Sequence, residues 1–251
     1  MKPLRITRAG LAGTVLAFVV AAACVRLGFW QLHRLAERRA RNAAVSARMR
    51  AEPVALPGVP RDTAGLAYRA VTVAGEYDDA RSVVFAAHSL MGEPGVWLLT
   101  PLRMPGGAIL VNRGWVPSPD AATIRSQAPA PRGAVRVRGL LVPIPATGSV
   151  EGAAADTFRR IWYRPSAHAL TRQFPYPVAS LYLQALPEAG APPWPRRLAP
   201  PELDEGPHLS YAIQWFSFAT IALVGWAVLV VRRGDRESKE KNRGEPGALA
   251  G

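Results

Sequence analysis

The chain has 251 residues, 49% of them hydrophobic, and 31 Lys and Arg against 18 Asp and Glu give it a formal charge of +13. That charge is concentrated at the ends: residues 1–30 hold four basic and no acidic groups, 31–50 six arginines against Glu37, and 232–251 six basic against four acidic groups. Only about +2 remains for everything between, which excludes the basic face of a nucleic-acid binder, and a lone cysteine, Cys24, excludes an intrachain disulfide or a cysteine-rich metal site.

From Ala9 to Val25 only Thr14 is not apolar. The run lengthens through Leu27, Gly28, Phe29 and Trp30 if Arg26 snorkels, so a transmembrane helix is expected at 9–30 behind a cytoplasmic N-terminus at 1–8. The rival is a signal peptide, with a basic start, an apolar stretch and Ala21, Ala22, Ala23 before Cys24, whose cleavage would release residues 1–23. Against it, Ala9, Gly13, Ala17 and Ala21 recur every fourth residue. Such a small-residue stripe lets another helix approach closely, which a discarded peptide does not need.

Beyond Trp30, residues 31–51 contain neither Gly nor Pro, and the helix is expected to continue into the aqueous phase. EPVALPGVPR at 52–61 then breaks it. Segments at 68–77, 82–88, 96–103, 108–116, 134–142, 160–164 and 178–186 alternate or are rich in branched and aromatic residues, which predicts strands. GEPG and PGG supply tight turns between them. One helix is expected at 165–174, with Pro165 in its first turn. The proline-rich stretch at 192–207 reads as an extended tether. No internal repeat is present.

The second apolar run, Leu209 to Val231, has no charge and is long enough to cross a hydrocarbon core of roughly 30 Å. Glu202, Asp204 and Glu205 precede it, and Arg232, Arg233 and Arg236 follow. The positive-inside rule then makes its C-terminal end cytoplasmic, and with two spans the N-terminus is cytoplasmic too. Arg34, Arg38, Arg39 and Arg41 point the other way and are outweighed by the cleaner asymmetry of the second span. The expected fold class is a membrane protein with two transmembrane helices, at 9–30 and 208–231. They flank an extracytoplasmic, mainly antiparallel, barrel-like β-rich domain at 31–207, with a disordered cytoplasmic tail at 232–251.

The common catalytic signatures are missing: there is no H-E-x-x-H, G-x-S-x-G, P-loop, G-x-G-x-x-G or C-x-x-C. A dispersed Ser, His and Asp triad, as in a membrane-anchored hydrolase, has no local support. Of the four histidines, His88 and His168 are expected to be surface or satisfied polar positions, whereas His33 and His208 lie at the same membrane face. On a helix His208, Tyr211, Ala212 and Trp215 share one side, continued by Ala219, Ala222 and Trp226, with Ser210, Gln214 and Ser217 roughly opposite. The polar stripe suits a hydrogen-bonded contact with a neighbouring helix. The histidine side admits two readings, an axial ligand with room for a flat macrocycle or an interfacial anchor belt of His, Tyr and Trp.

LGFWQLHR at 27–34, YRAVTVAGEYD at 68–78, GVWLLTPL at 95–102, VNRGWVP at 111–117 and HLSYAIQWFSFA at 208–219 resemble, in order, motifs of the surfeit locus protein 1 family. The resemblance implies an assembly factor, not an enzyme, for haem-A-containing cytochrome c oxidase. Such a factor binds haem A and assists its insertion into the catalytic subunit, with haem A synthase and membrane lipid as further partners. With no mitochondrial presequence evident, a bacterial cell inner membrane is the expected location. The family's proposed haem ligand corresponds to His208, and Tyr211 and Trp215 would line the ring. The family's Trp-Gln pair corresponds to Trp30 and Gln31, and its Gly-Trp pair to Gly114 and Trp115. His33 is a candidate second ligand, and Arg26, Arg34 or Arg38 could pair with the propionates, for which a guanidinium fork is suited. VNRGW itself reads as a turn at 112–114 with Trp115 in the core. The alternative function is a scaffold that stabilises an oxidase assembly intermediate without binding haem.

Overall fold

The computed structural model describes residues 8–60, 62–124, 129–148 and 158–243. Contacts divide the chain into two compact units, residues 1–43 with 203–251, and residues 44–202. Lys2, Arg5 and the end of the tail, 244–251, lie outside the described residues.

The first unit pairs α1 (Arg8–Arg50) with α3 (His208–Arg243). Both are long and apolar enough to cross a membrane. As the run of good helix formers predicts, α1 passes through Trp30 without a break. The disorder expected from residue 232 is corrected as far as Arg243, because Arg, Glu and Lys keep α3 helical and the next proline is Pro246.

Small residues set the α1–α3 contact. Ala21, Cys24 and Ala219 form a buried cluster on which Trp215 packs, and Ala212 is buried beside it. A Cβ on Gly28 would lie 2.7 Å from the Phe216 ring, so that ring lies directly over the glycine. Phe29 meets Phe216 edge-on at 5.4 Å, and lower down Trp226 meets Phe18 at 5.0 Å and donates its Nε1–H to Thr14 Oγ1 at 3.0 Å. The predicted small-residue stripe is thus used at Ala21 and continues through Cys24 and Gly28, while Gly13 is exposed. The side of α3 that carries His208, Ala212, Trp215 and Ala219 is the side against α1. Ser210, Gln214 and Ser217 are exposed on the other, so they do not make the contact within this chain.

The second unit is a sheet built from β1 (Val54–Leu56), β2 (Ala70–Tyr77), β3 (Val83–Leu90), β4 (Glu93–Met104), β5 (Gly107–Pro117), β6 (Ala134–Pro143), β7 (Ile161–Trp162) and β8 (Val178–Ala185), with α2 (Ala167–Arg172) before the last strand. Strands β2, β6, β8, β5 and β4 close into a barrel, sealed where Glu76 and Tyr77 of β2 pair with Arg103 and Leu102 of β4. The interior follows from alternation: Val71 and Val73, Ile109 and Val111, Leu181 and Leu183 point one way and form one core. Leu110 and Tyr182 point the other way into a second core with Phe85, Leu99, Trp162 and Leu170 of α2.

Among the described pairings five are antiparallel, and β1–β2, β3–β7 and β5–β8 are parallel. β1 was not expected because it is three residues long and lies between Pro53 and Pro57. The turn between β3 and β4 falls at Met91 and Gly92, with φ of 53° and 84°; it takes the first glycine of the predicted GEPG, and Glu93 to Gly95 already belong to β4. Helix α2 starts later than predicted: the Ser166 side chain caps it by accepting from Ala169 N at 3.3 Å, and Pro165 lies before the cap.

VNRGW does not form a turn. Leu98 pairs with Gly114 and Leu99 with Asn112, so Arg113 is the extra residue of a β-bulge within β5. Trp115 is buried, as expected, and donates Nε1–H to the His88 carbonyl at 3.1 Å. The proline-rich stretch is no free tether either. Trp115 and Arg196 exchange backbone hydrogen bonds of 2.8 and 2.9 Å, and Gln184 Nε2 donates to Ala199 O at 2.7 Å. Gly114, with φ of 138°, permits this strap, because a Cβ there would stand 2.4 Å from Arg196 O.

Candidate functional site

The start of α3 is held from α1. Asp204 O accepts from Arg38 Nε and Asn42 Nδ2, each at 3.0 Å, and Arg39 grips Glu205 with two bonds of 2.9 and 2.8 Å. That bidentate bond holds the Glu205 carboxyl below its ordinary range and raises the Arg39 guanidinium. Asp204 Oδ1 in turn accepts from Gly206 N at 2.9 Å, and Tyr211 N bonds to Pro207 O at 3.1 Å as the first turn closes. The result is a fixed backbone position for His208, the first residue of α3.

Its ring is oriented by the facing helix. His208 Nδ1 lies 2.9 Å from Gln31 Oε1. An amide oxygen only accepts, so Nδ1 donates in this contact, and in the neutral imidazole Nε2 then carries the lone pair. This is the arrangement in which histidines bind metals, one nitrogen donating to a fixed oxygen and the other free to coordinate. Gly206 lies beside the ring: its φ of 73° favours glycine, and a Cβ there would make ordinary van der Waals contact with Cδ2 at 3.5 Å and Nε2 at 3.6 Å. Among the described residues no group of three or more His, Cys, Asp and Glu could hold a metal ion. What the arrangement can offer a ligand is one imidazole nitrogen.

The other predicted site residues divide. Tyr211 is 47% exposed and Trp30 52% exposed, so both rings remain accessible. Trp215 is instead turned into the Ala21–Cys24–Ala219 cluster, with Phe218 edge-on at 5.9 Å. His33 is not brought to His208; it is exposed and pairs with Glu37 at 3.2 Å. Arg34 also pairs with Glu37, at 2.5 Å. Arg26, seven residues before His33, shares that residue's side of α1, whereas Arg38, seven residues after Gln31, shares the side that faces His208. Among the described residues Arg38 bonds only through Nε, to Asp204 O, which leaves its two Nη groups.

Gly206 was missed in the sequence, though a glycine just before Pro207 and a helix start is a readable signal of a left-handed residue. The sequence carries no signal for the role of Gln31 beyond its place in the Trp-Gln pair. In the sheet unit, His88 stacks on Trp97 at 3.7 Å, and burial lowers its pKa. His168 is exposed beside Arg172 at 3.1 Å.

Residues 18–220 match the model of the SURF1 family, a span that includes Gln31, Gly206 and His208. A SURF1-like protein of Monosiga brevicollis is 29% identical over 223 residues, covering 84% of each chain. A SURF1-like protein of Mycobacterium tuberculosis is 27% identical, with 86% of this chain and 80% of the relative covered. The cytochrome oxidase assembly protein SHY1 of Saccharomyces cerevisiae is 27% identical over 58% of this chain and 40% of its own length. With the motifs at 27–34 and 208–219 meeting in space at Gln31 and His208, and the match running from one long helix through the barrel to the other, this chain belongs to the SURF1 family.

Proposed function

We propose that this chain is an assembly factor for haem-A-containing cytochrome c oxidase that holds haem A at His208 and assists its insertion into the catalytic subunit. The observation that carries this reading is the His208–Gln31 bond, which commits Nδ1 and leaves Nε2 without a hydrogen bond among the described residues. The yeast relative's name, cytochrome oxidase assembly protein, supports the oxidase as the target. Two long apolar helices and the charges around them support an integral protein of a bacterial inner membrane with both termini cytoplasmic. His208 then lies at the outer boundary of the second span, next to the aqueous phase.

Each residue has a separate task in this reading. Gln31 fixes the tautomer and plane of the imidazole. Gly206 lets the chain turn into α3 beside the ring, and Tyr211 and Trp30 offer exposed aromatic surface. Arg38 presents its spare N–H groups to a carboxylate such as a propionate. Bound haem A would supply an iron that accepts one imidazole nitrogen. A single protein ligand suits a carrier that must also release its cargo, and no catalytic step is required of the chain.

The test is substitution of the ligand. His208→Ala, coexpressed with haem A synthase and purified with its helical content intact, is expected to lose the Soret band that the wild type carries. A band of undiminished intensity in the variant would overturn the assignment of His208.

A further inference from the structure

We propose that the sheet unit holds a binding site of its own, a cavity beside β3, β4 and β8 that takes a small planar aromatic carboxylate with a hydrogen-bonding oxygen on its ring. The cavity has a volume of about 630 Å³, and Phe85, His88, Trp97, Tyr163, Arg164 and Tyr182 are among the residues that line it. Small-molecule sites are commonly of this size, mostly apolar with a few polar groups converging on them. All of the lining residues belong to the sheet unit, so the site is independent of His208.

A β-bulge in β3 builds the aromatic wall. Phe85 stands opposite Trp97 and His88 opposite Gly95, which leaves one extra residue on β3 between the two pairs. In a regular strand residues three apart project from opposite faces, so His88 would point away from Phe85. The extra residue, with Ala87 at a φ of 61°, returns His88 to the face of Trp97, where the two rings stack 3.7 Å apart and within 3° of parallel. Tyr182 meets Phe85 edge-on at 6.1 Å. A flat ring is the ligand shape that such a wall favours, through stacking and edge contacts.

Two polar groups define the rest of the ligand. Tyr182 is 6% exposed, and its hydroxyl has no hydrogen bond among the described residues. The side-chain atoms buried there without a partner are Asn112 Nδ2 and Gln173 Nε2, so the Tyr182 hydroxyl reaches open space, and the cavity is the space that Tyr182 lines. Burial raises its pKa, which keeps it a neutral donor. A ligand oxygen would supply the bond that this hydroxyl lacks. Arg164 is exposed, has no hydrogen bond or ion pair among the described residues, and is the one formally charged side chain in the described lining. His88 adds no charge near neutral pH, because burial lowers its pKa. An unpaired guanidinium selects an anion, and its fork matches a carboxylate.

The experiment is a calorimetric titration of the full chain in detergent with para-hydroxycinnamate, with empty micelles as the blank. Saturable binding to the wild type is expected. Tyr182→Phe should weaken it about three- to tenfold without weakening cinnamate, which lacks the ring hydroxyl. Arg164→Gln should weaken both acids by about the same factor and leave para-hydroxycinnamyl alcohol, which lacks the carboxylate, unaffected. Arg164 is on the surface, so its variant tests the site whatever Tyr182→Phe does to the packing around it. The absence of saturable binding to the wild type overturns the proposal. Wild-type affinity for para-hydroxycinnamate in both variants, each folded by near-UV circular dichroism, overturns it too.

Discussion

His208 Nδ1 and Gln31 Oε1 are 2.9 Å apart, although the two residues are 177 positions apart in the chain. This bond joins the α1 and α3 helices at the point where the candidate ligand sits. It makes the imidazole a directed donor rather than a free surface group.

Removing the oxygen of Gln31 should therefore weaken the site without removing the ligand. Gln31→Leu is expected to lower haem A affinity about 10- to 100-fold, the usual cost of losing an orienting partner. Gln31→Glu, which keeps an acceptor at that position, should retain most of it. A spectral titration of the purified full chain checks both variants.

His33 provides the contrasting case. It pairs with Glu37 and lies on another side of α1 from Gln31, so His33→Ala should leave the Soret position and intensity unchanged. A shift of the band in that variant would show a second histidine on the iron.

Most of the strand pattern was legible, because β2, β5, β6 and β8 alternate or run apolar between turn residues, and the structure places them within a few residues of the predicted segments. Periodicity identifies a strand but not its neighbour, which is why the parallel pairing of β5 with β8 was not foreseen. The same limit applied to α3. Helical spacing correctly put His208, Ala212, Trp215 and Ala219 on one side, but it could not say whether that side or the Gln214 side faced α1. The bulge at Arg113 was hidden for a different reason: VNRGW contains turn-forming residues, and only the register of β4 shows that Gly114 continues the strand.

Gly114 should matter through folding alone. Gly114→Ala puts a Cβ 2.4 Å from the Arg196 carbonyl at a φ of 138°, and a cost of about 3 kcal/mol is expected from the clash and the backbone strain together. Near-UV circular dichroism should show a lower melting temperature. The haem content per folded chain should not change.

The grip of Arg39 on Glu205 predicts a pH dependence. The bond depresses the folded-state pKa of Glu205, so its contribution is complete at pH values above the ordinary carboxylate range. It is lost as pH falls through the depressed value. The protection factors of residues 203–206, taken against the intrinsic exchange rate at each pH, should fall in that acidic window in the wild type. In Arg39→Gln they should be low at both ends of the window.

The central claim is that the chain carries haem A, and the most direct measurement is made on the unaltered protein. The full chain is purified in detergent from cells with active haem A synthase, and its pyridine haemochrome spectrum is recorded. Haem A is expected to co-purify with the chain, and none with His208→Ala prepared in parallel. A colourless wild type from haem-A-replete cells would contradict it and leave the chain as a scaffold.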